Sequence, residues 1–390
     1  MEQVCDYSIC TGCAACGSVC PKKCISFIEG KKGHLYPKID TSICIDCKKC
    51  KRTCPALKPN TGQLPQKAFA AFTRNQDDYL TTTSGGAAQV LSLHILNNGG
   101  VVYGCALLPG VIIKHIRIED KKQLELLKGS KYVQSDLTDV YRTIKLDVDS
   151  DRPVLFIGTP CQTAAISALF PNKPNNLLLV DLICHGVPSQ SSLRNYLKSH
   201  ITDLSLIHEI KFRINGKYQI KIFGSPIGSV PTVLYESKPL FDSPYSDRYC
   251  SEFFYGFSCR SSCYTCSFAQ PQRCSDITIG DFWGLKETGN VLQLPKHKKG
   301  ISVILPISSK GLETVREIQD KMYIVERPIE EAIKGNKQLQ HPTKKTCKIK
   351  LYEQLSTYVG DRTAFNIINV EGRIKTLLRP YIVRIKKWFK

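Results

Sequence analysis

The chain contains no apolar run approaching the ~20 residues that a membrane-crossing helix needs. Its most continuous one, Leu177 to Ile183, is interrupted by Asp181. No secretory apolar stretch opens the sequence, so it reads as cytoplasmic. No G-x-G-x-x-G stands between a strand and a helix, and the common dinucleotide fingerprint is therefore missing. Acidic residues are few, 34 against 54 Lys and Arg. Cysteine, by contrast, is abundant, with 19 among 390 residues. A reducing cytoplasm does not maintain a disulfide framework. A chain of this length, 42% hydrophobic and 23% charged, can also build two or three cores without staples. Metal or cluster ligation is the leading explanation.

The formal charge of +20 invites a nucleic-acid reading, but its distribution argues against one. From His341 to Lys390 there are twelve basic and three acidic residues, so much of the excess belongs to a tail. Thiolate ligands lower the count further, because a four-iron cluster with four thiolates carries about −2. No nucleic-acid partner is expected.

Cys10, Cys13, Cys16, Cys20 and Pro21 spell C-x2-C-x2-C-x3-C-P, and Cys44, Cys47, Cys50, Cys54 and Pro55 repeat it. In the bacterial ferredoxin arrangement three closely spaced thiolates each take one corner of a 4Fe-4S cube, and the fourth cysteine serves the other cluster. Cys10, Cys13, Cys16 and Cys54 are then one ligand set, and Cys44, Cys47, Cys50 and Cys20 the second. Zinc fingers use two separated cysteine pairs and have no need of this triple spacing. Cys5 and Cys24 fall outside the pattern and read as ordinary thiols.

After a polar loop from Lys58 to Gln66 the texture becomes that of alternating strands and helices. Ala68 to Thr73 reads as a strand, Ala87 to Leu96 as a helix ended by Gly99 and Gly100, and Val101 to Leu107 as a strand. Val154 to Ile157 and Leu177 to Ile183 suit strands covered on both faces. Ligands gather at the carboxyl ends of such strands, which here carry Gly158-Thr159-Pro160-Cys161-Gln162 and Cys184-His185-Gly186-Val187-Pro188-Ser189. Ser84, Gly85 and Gly86 precede a helix start where a phosphate would fit, though a plain cap reads the same way. Ser130 and Lys131 offer a hydroxyl and a cation for the same anion.

The strings SGGAAQVL, KGSKYVQSD, VLFIGTPCQTAAI, LLLVDLICHGVPS, SCYTCSF and SDITIGDFWG resemble the beta-subunit family of coenzyme F420-reducing hydrogenases and dehydrogenases, from about Ala68 to about Leu305. The resemblance implies FAD and at least one 4Fe-4S cluster, with the flavin joining one-electron carriers to a hydride donor or acceptor. On that basis Ser84, Gly85 and Gly86 would face the FAD phosphates with Ser130 and Lys131 nearby. Thr159, Pro160, Cys161 and Gln162 would lie along the flavin. His185 would be a proton donor or a residue orienting its turn, Cys161 a second catalytic candidate, and Asp281 and Trp283 would close or pack the pocket. Cys259, Cys263, Cys266 and Cys274 suffice for a third cluster, with Cys161 and Cys184 as competing ligands. The first three also match the radical S-adenosylmethionine signature, but they lie late in the chain and precede a string of the other family.

From Ile374 to Phe389 apolar residues recur at helical spacing with Arg and Lys between them, suiting either an anionic membrane surface or docking on the body. The expected organisation is an α+β ferredoxin-like cluster domain (1–60) and an α/β flavin-binding body with a mostly parallel or mixed sheet (67–310). A helical extension (311–370) and a basic amphipathic tail (371–390) follow. The expected protein is an FAD and iron–sulfur oxidoreductase, cytoplasmic or peripheral at the inner face of the membrane. A ferredoxin or another subunit would be its redox partner, and a small molecule would exchange the hydride. The alternatives are an electron-relay subunit with no substrate of its own and a membrane-recruited glycan-pathway reductase.

Overall fold

A computed structural model describes residues 2–59, 62–227, 230–240, 247–286, 288–295 and 299–370, so the expected tail helix lies outside the described residues. No helix among them is long and apolar enough to cross a membrane.

The N-terminal module is small. Two short helices, α1 (Ala15–Ser18) and α2 (Lys49–Thr53), flank an antiparallel hairpin of β1 (Ile25–Glu29) and β2 (Leu35–Ile39), in which Ile25 pairs with Ile39. The two cysteine repeats fold alike. The residues before and after the second cysteine of each, Gly12 and Ala14 or Asp46 and Lys48, all have left-handed backbone. The module's interior is mostly cysteine, with Val4, Tyr36 and Ile39 among the few buried apolar side chains.

The body is built on an eight-stranded mixed sheet. Its strands are β3 (Ala68–Thr73), β4 (Val101–Leu108), β5 (Ile112–Ile118), β6 (Val154–Gly158), β7 (Leu177–Leu182), β11 (Ile277–Asp281), β12 (Ser302–Pro306) and β13 (Met322–Arg327). They lie in the order β13-β3-β12-β11-β7-β6-β4-β5. Three neighbouring pairs, β4–β6, β6–β7 and β7–β11, are parallel, and β3 runs in the same direction because two antiparallel pairings separate it from β11. The strand ends singled out in the sequence therefore share one edge of the sheet. A second, three-stranded antiparallel sheet of β8 (Ile207–Ile214), β9 (Lys217–Ile227) and β10 (Val230–Glu236) joins the body.

Alternation along the strands decides the layers. Val102, Leu155, Leu178 and Val180 face α4 (Ala87–Asn97) and α9 (Ser309–Glu317). Val101, Tyr103, Val154, Phe156, Leu177 and Leu179 face α5 (Val140–Asp149) and α6 (Pro160–Ser167). Cys13, Ala14 and Ala15 of the module join that second layer, so the cluster domain is packed on the sheet's helical cover. The shorter helices α3 (Gln76–Thr81), α7 (Gln190–Lys198), α8 (Arg248–Phe254) and α10 (Ile329–Gly335) belong to the connections between strands and to the stretch after β13.

The body does not stop at residue 310. β13 pairs with β3 over six residues, so the division expected there would cut the sheet; a short strand after a helix carried too little periodicity to be seen. The chain ends, among described residues, in α11 (Cys347–Ile368), broken by left-handed Gly360.

Candidate iron–sulfur and flavin sites

Cys10, Cys13, Cys16 and Cys54 are buried together, and each of the Cys13 and Cys16 thiols feels Cys54 and Cys10 as near charges. Cys20, Cys44, Cys47 and Cys50 line a separate small cavity. The fourth cysteine of each repeat thus sits with the other repeat's trio, as the exchanged arrangement requires. Two thiols the spacing did not implicate lie beside these sets. Cys5 hydrogen-bonds Cys10 and Cys54 and holds both below the ordinary thiol range, while Cys24 Sγ is 3.3 Å from Cys20 Sγ.

The body closes over the first set. Arg260, 1% exposed, donates from Nε to the Cys10 carbonyl (2.5 Å) and from Nη2 to the Leu35 carbonyl (2.8 Å). Nη2 also lies 3.4 Å from Cys10 Sγ, with the guanidinium stacked over Tyr36. Tyr141 donates to the Cys13 carbonyl and Gln134 to the Thr11 carbonyl (2.8 Å). Sequence reading missed Arg260, although an arginine directly after Cys259 was a usable signal.

Between module and sheet edge lies a solvent-open cavity of about 980 Å³, lined by Cys161, Cys184, Cys263 and Cys266. The local sequence explains how each arrives. β6 ends at Gly158, Pro160 is the first residue of α6, and the Gln162 carboxamide oxygen accepts from the Thr159 N–H (3.0 Å), which fixes the turn that presents Cys161. Gln162 itself is buried, donating to the Ser135 hydroxyl (2.9 Å) and carbonyl, so it supports the turn rather than lining the cavity. Cys184 follows β7. The loop carrying Cys263 and Cys266 is pinned to the Cys184 loop through Arg260 N–H to the Val187 carbonyl (3.0 Å). Gly186, at φ 128°, lets the two loops nest, since a Cβ there would come within 2.6 Å of Cys259 Sγ.

Cys259 and Cys274 stay outside this cavity. Cys259 is fully buried beneath α11 among Phe257, Ile349 and Tyr352, and Cys274 packs on Ala164 and Phe268. Arg273, 3% exposed, reaches the cavity wall 3.6 Å from Asp181, with all three guanidinium nitrogens lacking a hydrogen-bond partner among the described residues. Four thiols and a buried guanidinium with free N–H groups among the described residues fit an iron–sulfur cube, whose sulfurs would accept those N–H groups. Burial, foremost, raises the free Cys161 and Cys184 thiols above their ordinary range, and mutual repulsion adds to it, a cost that metal binding removes.

Residues 151–332 match the family model for the C-terminal region of the coenzyme F420 hydrogenase/dehydrogenase beta subunit, and residues 9–57 match the 4Fe-4S dicluster domain. Residues 151–332 thus carry the C-terminal region of a coenzyme F420 hydrogenase/dehydrogenase beta subunit. The chain is an iron–sulfur electron-transfer protein with a 4Fe-4S dicluster domain over residues 9–57. A solved structure of the F420-reducing nickel–iron hydrogenase complex from Methanosarcina barkeri is similar at 16% identity and TM-score 0.45, covering 77% of this chain and 95% of that chain. Comparison with curated proteins finds no match.

For a flavin of the kind the family resemblance implies, the described residues offer a phosphate cradle. Gly86, at φ 83°, precedes α4 without a side-chain cap, and the buried Ser84 hydroxyl lacks a partner among the described residues. A Cβ on Gly85 would strike the Ala71 carbonyl at 2.3 Å, so the chain can approach the sheet this closely only with glycine. Ser130 N–H donates to Thr83 Oγ1 (3.2 Å), bringing the second motif alongside. The Lys131 ammonium is tied to the Leu126, Leu127 and Lys128 carbonyls, and Lys128, 3.0 Å from Thr81 Oγ1, is paired with Glu125 (2.6 Å).

His185 lines the cavity with both ring nitrogens engaged. Nδ1 accepts from Gln338 (2.8 Å) and Nε2–H donates to the Phe254 carbonyl (3.0 Å), and burial holds the ring below the usual histidine range. This is the orienting role, with no nitrogen left for a reacting atom. Asp281 pairs with Arg213 of β8 (2.6 Å), and that guanidinium approaches the Trp283 and Tyr218 rings, so the GDFWG turn ties the two sheets together.

Proposed function

We propose that this chain is an iron–sulfur flavoprotein oxidoreductase that passes electrons between three 4Fe-4S clusters and a hydride donor or acceptor through FAD. The observation that carries this is the convergence of Cys161, Cys184, Cys263 and Cys266 on one cavity between the dicluster module and the carboxyl ends of β6 and β7. A cluster held there would continue the series begun by the Cys20 set and the Cys10 set. Bound FAD supplies the conversion between one-electron and two-electron steps. Ser84, Gly86 and the first-turn N–H groups of α4 would hold its phosphates. Thr159 and Pro160 shape the cavity wall, the unpartnered Arg273 N–H groups would donate to the third cluster, and His185 fixes the loop that carries Cys184. A soluble partner protein and a small hydride-exchanging molecule complete the reaction.

The flavin part is tested by Gly86→Asp against Gly86→Asn in anaerobically reconstituted protein. Both side chains tolerate left-handed backbone, but only Asp sets a negative charge where diphosphate would lie. FAD affinity should fall severalfold or more in the Asp variant and little in the Asn variant, read as flavin per chain after desalting. Equal FAD content in Gly86→Asp and the parent contradicts this placement.

A further inference from the structure

The two cysteine sets of the module differ in what covers them. The Cys10 set is roofed by Arg260, Tyr141 and Gln134, whereas the cavity of the Cys20 set is lined, among the described residues, only by the module, from Cys20 to Cys50. Cys20, Cys44 and Cys47 are half-buried there. Electron tunnelling weakens steeply with distance, so the outer cluster is the one a second protein can reach. Around it Lys22, Lys23, Lys48, Lys49 and Arg52 are exposed, and Lys22, Lys48 and Lys49 form part of the cavity rim. Asp46 is the single acidic residue between Thr41 and Lys58. Ile43 and Ile45, 49% and 57% exposed, stand beside the charges. An apolar centre within a rim of one charge sign is the make-up of a short-lived, electrostatically steered interface.

We propose that this face, around Cys20, Cys44 and Cys47, is the docking surface for a small acidic one-electron carrier protein. The proposal rests on reading those cysteines as ligands of the outer cluster. Each encounter moves one electron between the partner's centre and that cluster, one being oxidised as the other is reduced, with no proton transferred. Two encounters match one hydride.

The test uses the full chain with reconstituted clusters, reduced in a stopped-flow instrument by a plant-type two-iron ferredoxin, an acidic protein, and separately by a zwitterionic sulfonated viologen. Ferredoxin-driven reduction of the parent should slow steeply as salt rises. Lys22→Glu combined with Lys49→Glu should slow it by about tenfold or more at low salt, while the viologen rate stays unchanged. Equal ferredoxin rates in parent and variant, with cluster spectra intact, overturn the docking surface alone. Failure of the parent to assemble a cluster on the Cys20 set overturns the ligand reading and the surface with it. Loss of binding to anionic vesicles in the variant, at an unchanged ferredoxin rate, assigns the patch to a membrane and also overturns the proposal.

Discussion

In the module, each trio of cysteines comes from seven consecutive residues, Cys10 to Cys16 and Cys44 to Cys50. In the body cavity, Cys161, Cys184 and the Cys263–Cys266 pair come from two strand ends and a distant loop, more than a hundred residues apart at the extremes. The module's interior is made largely of its own ligands, so metal is most of what holds it. The cavity walls stand on an eight-stranded sheet whose apolar layers exist without metal. One site is written as local spacing, the other as tertiary geometry, and their stabilities should differ accordingly.

The largest expected effect follows from that contrast. Stripping iron under anaerobic chelation should remove hydrogen-exchange protection from β1 and β2 while β6, β7 and β11 keep theirs. Equal loss in both regions would show that the body also depends on its metal.

Next, Cys20→Ser should damage the cluster whose other ligands are Cys44, Cys47 and Cys50 and leave the Cys10 cluster mainly intact, as read by electron paramagnetic resonance of the reduced protein. Loss of the Cys10 cluster would refute the exchange. Cys24, 3.3 Å from Cys20, is the thiol to check for partial rescue.

The same contrast explains what the sequence made legible. The doubled C-x2-C-x2-C-x3-C-P and the placing of each fourth cysteine beside the other trio could be read because the chemistry fixes the spacing. The rule that ligands collect at strand ends brought Cys161 and Cys184 into contention, but proximity in sequence pointed to Cys259 and Cys274, which the fold leaves outside the cavity lined by the other four. Gln162 was expected along the flavin on the family resemblance; the first turn of α6 sends it to Ser135 instead. Lys131 looked free, since nothing in a sequence shows three carbonyls converging on one ammonium. β13 and the sheet of β8, β9 and β10 escaped because their strands mix charge with apolar residues.

The smallest effect concerns the sheet itself. His115, 2% exposed, meets the Ser135 hydroxyl and the Ile157 carbonyl, and burial lowers its pKa to about 4. The unfolded chain takes up this proton near pH 6.5 and the folded chain only near 4, so stability falls as pH drops through that window. His115→Gln should therefore lose less stability than the parent between pH 7 and 5.5, by roughly 1 kcal/mol. Parallel melting curves for the two proteins across that range would contradict a buried neutral ring.

The central claim is that the third cluster belongs to Cys161, Cys184, Cys263 and Cys266. Its most direct measurement is iron and sulfide per chain in anaerobically reconstituted parent, Cys161→Ser, Cys184→Ser, Cys259→Ser and Cys274→Ser proteins. At four iron atoms per cluster the account predicts about twelve in the parent and in the Cys259 and Cys274 variants, and about eight in the Cys161 and Cys184 variants. About eight in the Cys259 or Cys274 variants, with about twelve retained when Cys161 or Cys184 is replaced, would contradict it.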